Sequence, residues 1–135
     1  KAEAIFNDYI VENGLSARVK FVAGDFFKDA IPKADVVTMG HILHDWDVPI
    51  VKQLLRASAA ALKAGGGIVI HDAFLNADKT GPLPIAGYSV LLMHVTQGRC
   101  FSVREMAAWL QEAGFSEPDE VPSAIGRSAL VAYRR

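Results

Sequence analysis

The sequence predicts an α/β fold, an open and mainly parallel sheet with helices packed on it. Three observations carry that expectation. Short apolar runs of strand length, "ARVKFVAG", "ADVVTMG" and "GIVIHDAF", recur along the chain. Segments with helical periodicity stand between them, and "NG", "AGGG" and "GPLP" punctuate the alternation. With 135 residues and 51% apolar composition, one core is expected.

Each element has its own justification. Ile5, Phe6, Tyr9 and Ile10 recur at helical spacing, and Gly14 in "NG" can take the left-handed conformation that ends a helix. Val19, Phe21 and Ala23 alternate with Arg18, Lys20 and Val22, which predicts a strand over Arg18–Ala23 that empties into the loop "GDFFKDAIPK". "ADVVTMG" is short and apolar throughout, as in a strand covered on both faces. Next comes the clearest helix: Val51, Leu54, Leu55, Ser58 and Leu62 share a face, Asp47 stands at the N-cap, Pro49 falls in the first turn and "AGGG" stops it. "GIVIHDAF" is a third buried strand. "IAGYSVLLMHV" is apolar on most sides and reads as a helix. "SVRE", Ser102 to Glu105, is a capping box opening a helix that turns Met106, Leu110 and Ala113 inward and ends at Gly114. "FSEPDEV" and "SALVAYRR" close the chain as strands.

Composition excludes several roles. Fourteen Lys and Arg against fifteen Asp and Glu leave a net charge of −1 with no basic stripe, so nucleic acid is not an expected partner. The longest apolar runs fall far short of the roughly 18 residues of a membrane span, so no membrane partner is expected. One cysteine, Cys100, rules out an intrachain disulfide and suits a reducing cytoplasm. The chain carries no initiating methionine, and it is expected to begin partway through a longer protein.

Ligands of an open α/β sheet bind outside the carboxyl ends of its strands. Those ends are "AGDFF", "MGHILHDWD" and "IHDAF", which hold most of the clustered polar residues. Asp25, preceded by Gly24, can accept hydrogen bonds from a ligand amine while Phe26 or Phe27 supplies a flat apolar wall, a pairing suited to a purine; an ordinary turn explains the same residues. His41 and His44 lie three apart beside Asp45 and Asp47. Two imidazoles so spaced can share a cation, but no third ligand stands at a recognised spacing, so no metal is expected. A neutral imidazole with a carboxylate on its other nitrogen is also the usual form of a general base, and helix capping is the competing structural explanation. Asp72 ends a buried strand, where a carboxylate needs a partner, and a histidine base is the natural one. His71 points to the opposite face. Leu91, Leu92, Met93 and Val95 could line an apolar pocket or belong to the core. Cys100 has only Arg99 as a neighbouring activator, so it is a packed thiol or a pocket wall rather than a nucleophile.

In order along nearly the whole chain, "VAGDFFKDAIPKADVV", "GHILHDWD", "ALKAGGGIVIHDAF" and "GRCFSVREMAAWLQEAGF" resemble the S-adenosylmethionine-dependent O-methyltransferases that act on phenols and other hydroxylated small molecules, the caffeate and flavonoid enzymes of plants and their bacterial relatives. The resemblance implies a Rossmann-like class I methyltransferase sheet, mainly parallel with an antiparallel last strand. It implies that Gly24, Asp25 and Phe26 meet the adenine end of S-adenosylmethionine and that Trp46 and the backbone of Gly40 and His41 wall the cofactor. It makes His44 the general base and Asp72 the acid that orients it, with no metal in the reaction. Leu91, Met93 and Val95 fall in the segment that contributes to the acceptor pocket, and Cys100 stands where many relatives carry a second acid in a "GRERT"-like stretch.

The family's glycine-rich loop and first two strands are absent from residues 1–135, and the resemblance places those strands between Arg18–Ala23 and Ala34–Met39. The whole chain is thus expected to be the C-terminal portion of a catalytic domain, its activity in this form left open, of a protein that dimerises in its full length. Two other classes stay open: a cofactor-free interaction or regulatory domain on the same fold, and a nicotinamide-dependent oxidoreductase, which would also need a glycine-rich first turn.

Overall fold

The computed structural model describes residues 2–124 and 126–135. Helix α1 (Ala2–Glu12) is followed by a long irregular segment and then by β1 (Ala34–Gly40), a 3₁₀ turn (Leu43–Asp45), α2 (Val48–Ala61), β2 (Leu62–Asp72), α3 (Leu83–Val95), α4 (Val103–Glu112), β3 (Asp119–Ala124) and β4 (Arg127–Tyr133). The four strands form one sheet in the order β1-β2-β4-β3. β1 runs parallel to β2, Val37 opposite Ile68 and Gly40 opposite His71, while β2–β4 and β4–β3 are antiparallel. The class is α/β and the final strand antiparallel, as expected; the parallel part among the described residues is the β1–β2 pair.

The helices form for the reasons legible in the chain. Gly14 adopts φ +65° at the end of α1, and the Leu15 N–H returns to the Ile10 carbonyl at 2.8 Å. Asp47 caps α2 by accepting from the Ile50 N–H at 3.3 Å, with Pro49 in the first turn. The Ser102 hydroxyl accepts from the Glu105 N–H and the Glu105 carboxylate accepts from the Ser102 N–H, the reciprocal pairing of a capping box. Helix α2 ends at Ala61, earlier than the glycines imply, because Leu62 turns to extended backbone and the chain enters β2 directly.

Apolar burial holds the layers together. Val51, Leu54 and Leu55 of α2 and Met106 and Leu110 of α4 pack on Ile68, Ile70, Leu130 and Phe115, all 2% exposed or less. Each such side chain contributes roughly 1.5–3 kcal/mol by leaving water. A second cluster, Ala73, Leu75, Ile85, Leu92 and Cys100, seats α3 against the strand end that carries Asp72.

The strand expected over Arg18–Ala23 does not form. The Arg18 and Val19 N–H groups turn back to the Leu15 carbonyl at 2.9 and 3.0 Å, and Val19, Phe21 and Val22 stay exposed. Alternation says which faces a strand would present, but a ladder needs a neighbour to pair with. None of the four strands runs beside this segment. The gap expected between that strand and the next is therefore not a feature of the sheet, in which β1 is an edge.

Candidate active site

The carboxyl ends of the parallel pair carry the candidate residues. At the end of β1 the chain reverses through His41, whose φ of +55° is in the left-handed region that costs a non-glycine residue about 1–2 kcal/mol. The His41 N–H donates to the His71 carbonyl at 3.0 Å and so stays tied to β2. The 3₁₀ turn follows, anchored by a fully buried Leu43, and it directs the next side chain, His44, inward. Asp72 arrives from the end of β2, held by the Ala73 N–H at 2.7 Å from its Oδ1.

The two side chains meet, although 28 residues separate them in sequence. His44 Nδ1 lies 2.5 Å from Asp72 Oδ1, and the residues are only 4% and 3% exposed. A carboxylate at Nδ1 assigns the ring proton to that nitrogen and leaves Nε2 with a lone pair. The hydrogen bond to Asp72 raises the imidazole pKa above its ordinary value; burial opposes this, and the charges of Asp72 and Asp45 add to it. Asp45 Oδ1 stands 3.6 Å from Nε2. The arrangement is a buried histidine made more basic by two acids, hydrogen-bonded to Asp72 at Nδ1 and with Nε2 able to take a proton.

Close packing fixes this geometry from behind. Gly98, in the loop between α3 and α4, lies so near the turn that a Cβ there would clash with the His44 carbonyl oxygen and lie within 2.6–2.7 Å of the Trp46 backbone N and O. The neighbouring Gln97 N–H donates to the Asp45 carbonyl at 3.1 Å. Sequence reasoning did not single out Gly98, Tyr88 or Arg127. The Tyr88 ring meets the His44 ring edge-on with centroids 5.7 Å apart, and the Arg127 guanidinium lies over the Tyr88 ring at 5.2 Å. A glycine in an ordinary loop motif and residues 39 positions apart carry no local signal for this.

The residues expected at a cofactor also gather. Asp25 sits in a tight turn, its Oδ1 accepting from the Phe27 N–H at 3.0 Å and its Oδ2 3.1 Å from Lys28 Nζ. Phe26 and Phe27 both pack edge-on against Trp46, at 6.0 and 4.8 Å. Gly24, Asp25 and Phe26 line a cleft of about 300 Å³ with Val22 and Ile31. A carboxylate acceptor beside a flat apolar wall fits an adenine ring and its donating amine, so the fit covers one end of a nucleoside cofactor. Gly40 ends β1 in the open, and an added Cβ there would meet nothing.

The residues expected at an acceptor pocket are more dispersed. Leu91 and Val95 are exposed on α3, while Met93 shares a cleft of about 280 Å³ with Trp46 and Arg99. Cys100 is fully buried in the apolar cluster under α3, where burial pushes its thiol up to about 11; it presents no surface to a ligand and is no nucleophile. His71 reaches Ser123 on the β3–β4 hairpin at 2.7 Å, a structural contact. His41 completes a set of three ligating groups with His44 and Asp72, all within 4.8 Å of one another. Asp72 is the third donor that local spacing could not reveal, but it and His44 Nδ1 already hold each other through a proton.

Among the described residues no helix is long and apolar enough to cross a membrane. Comparison with known proteins gives a consistent picture. A 3-hydroxy-5-methyl-1-naphthoate 3-O-methyltransferase of Streptomyces sahachiroi is 35% identical over 131 residues, 96% of this chain and 38% of that protein. The crystal structure of an O-methyltransferase family 2 protein from Planctomyces limnophilus, in complex with apigenin, superposes with a TM-score of 0.93 at 33% identity, over 98% of this chain and 39% of the other. Human N-acetylserotonin methyltransferase in complex with S-adenosylmethionine gives a TM-score of 0.83 at 30% identity, over 88% and 34%. The chain spans between a third and two fifths of the length of these proteins. The model of the O-methyltransferase domain matches residues 4–116, and with the strand-end dyad in place the chain belongs to that family.

Proposed function

We propose that this chain is the C-terminal portion, residues 1–135, of the catalytic domain of an S-adenosylmethionine-dependent O-methyltransferase acting on a hydroxyl of a small aromatic molecule. The observation that carries the reading is the buried His44 Nδ1 to Asp72 Oδ1 bond at 2.5 Å, which presents Nε2 as a base at the carboxyl ends of the parallel strands. The resemblance to proteins named for a hydroxynaphthoate and bound to apigenin supports an aromatic acceptor.

When bound, S-adenosylmethionine supplies a methyl already activated by its sulfonium. The work left to the protein is placement and proton removal. Asp25, Phe26 and Trp46 hold the adenine end, with Gly24, Gly40 and His41 contributing backbone beside them. His44 Nε2 would take the acceptor's O–H proton as that oxygen receives the methyl group that the bound cofactor would supply. Asp72 keeps the ring in the tautomer that can do so and stabilises the imidazolium that results. A phenol has a pKa near 10, so a histidine whose own pKa is raised assists its ionisation near neutral pH. In the whole protein the expected state is a homodimer in a reducing cytoplasm, consistent with the unpaired Cys100.

Calorimetric titration of S-adenosylhomocysteine into the natural full-length protein tests the cofactor side. Micromolar binding, weakened about tenfold by Asp25→Ala, is the expected result. No binding would favour a cofactor-free interaction domain on the same fold.

A further inference from the structure

Arg127 begins β4 next to Ser128, the residue paired with Asp72 across the β2–β4 ladder. The strand register therefore delivers a guanidinium to the end of the sheet that holds the base. There it lies over the Tyr88 ring at 5.2 Å, and the edge of the same ring meets His44 at 5.7 Å. Imidazole and guanidinium are consequently no more than about 11 Å apart, joined by one aromatic wall.

The other charges around this wall are accounted for. Asp72 is bonded to His44, and Asp45 faces Nε2 of the same ring. Glu120, which shares a cleft of about 420 Å³ with Arg127, Phe74 and Ile85, accepts from the Ser128 hydroxyl at 2.8 Å. Arg127 itself donates to the Gly126 carbonyl at 2.9 Å, and among the described residues no carboxylate closes an ion pair with it. A half-buried guanidinium resting on a ring, with most of its donors uncommitted, is suited to a planar oxyanion, which it can meet with two parallel hydrogen bonds.

We propose that Arg127, braced by Tyr88, is a specificity-determining residue, and that the acceptor is an aromatic hydroxy acid whose ring hydroxyl meets His44 while its carboxylate meets the guanidinium. This rests on the methyl-transfer reading of the same site. It adds a chemical class to the acceptor: a hydroxybenzoate or hydroxynaphthoate, with base and cation reading the two ends of one rigid ring system. Arg127 acts on the acceptor through binding and, through its charge, also lowers the His44 pKa, so its role in specificity is read in the KM of acids against amides, in which an effect on the shared base cancels.

The test compares hydroxybenzoates and hydroxynaphthoates with their neutral carboxamides, as methyl acceptors and, by calorimetry, as ligands. The natural full-length protein is expected to favour the acids by about tenfold or more in kcat/KM, and Arg127→Gln to bring the acid-to-amide ratio near one through KM. Arg127→Lys, which keeps the charge but loses the fork, is expected to restore part of the preference and so excludes a folding defect as the cause. Equal use of acids and amides by the natural protein, or a ratio unmoved by Arg127→Gln, would overturn the proposal while leaving methyl transfer standing. Binding of the acids that depends on Arg127, without methyl transfer to any acceptor, would uphold the anion site and overturn the reading on which it rests.

Discussion

At the scale of single residues, one hydrogen bond, His44 Nδ1 to Asp72 Oδ1, underlies both the proposed base and a part of stability. Asp72 raises the His44 pKa, so the rate of methyl transfer is expected to climb with pH through a midpoint above the ordinary histidine value of about 6.5. Asp72→Asn removes the pull and inverts the preferred tautomer. The pH–rate profile of that variant is expected to move to lower pH, with kcat down by about a hundredfold or more; a profile identical to the natural protein's would show that the pair does not set the base. Stability runs the other way. A folded-state pKa above the unfolded one favours the native protein below about pH 6.5 and ceases to do so as pH rises past the folded value. Thermal melts of His44→Gln should therefore differ most from the natural protein on the acid side. The sequence made this pair legible in kind, since "HDWD" and "IHD" each end an apolar run, but the 2.5 Å contact depends on which strands lie side by side. Arg127 and Tyr88 were not legible at all, because a lone Arg after a turn and a Tyr in an apolar helix have no partner until the sheet and α3 are assembled.

At the scale of elements, loops and caps hold the site more tightly than their sequences suggest. Gly98 lets the α3–α4 loop lie directly on the His44–Trp46 backbone, where no side chain fits. Gly98→Ala must displace one of the two backbones; a loss of about 1–3 kcal/mol is expected, with turnover falling further than stability because the displaced turn carries His44, the proposed base. Denaturant unfolding together with kcat measures both, and an unchanged midpoint would contradict the packing described. The cap of α4 is a network: Glu105 receives Ser102, Arg99 and Lys79, the last two at 2.8 Å, and these bonds outweigh burial to hold its carboxyl down to about 2. Its contribution is present above the unfolded pKa near 4.5 and is lost as pH falls through about 2. Glu105→Gln should accordingly narrow the stability difference between pH 5 and pH 2, which acid titration of the far-ultraviolet dichroism reads directly. Caps of this kind are readable from sequence because they are local: Asp47 with Pro49, and Ser102 with Glu105, form where they were expected. The strand over Arg18–Ala23 was not, since a strand is defined by a neighbour that local alternation cannot supply.

At the scale of the whole molecule, the fold is a mixed sheet whose edge strand β1 and partner β2 deliver His44 and Asp72 to one point, while the β3–β4 hairpin and α3 close in from the other side. The alternation of strand and helix gave the class, and the rule that ligands meet the carboxyl ends of parallel strands pointed to where His44 and Asp72 come together. What the chain could not reveal by itself is the convergence of α3 and the hairpin, because α3 is apolar on nearly every side and periodicity names no face for it. The central claim is that this assembly exists to take a proton from an acceptor hydroxyl during methyl transfer. It is tested most directly by the kcat of His44→Ala in the natural full-length protein, measured by transfer of an isotopically labelled methyl group to a hydroxylated aromatic acceptor. A fall of about a hundredfold to ten-thousandfold, with S-adenosylhomocysteine affinity largely kept, is the result the dyad predicts; turnover that survives the loss of the imidazole would contradict it.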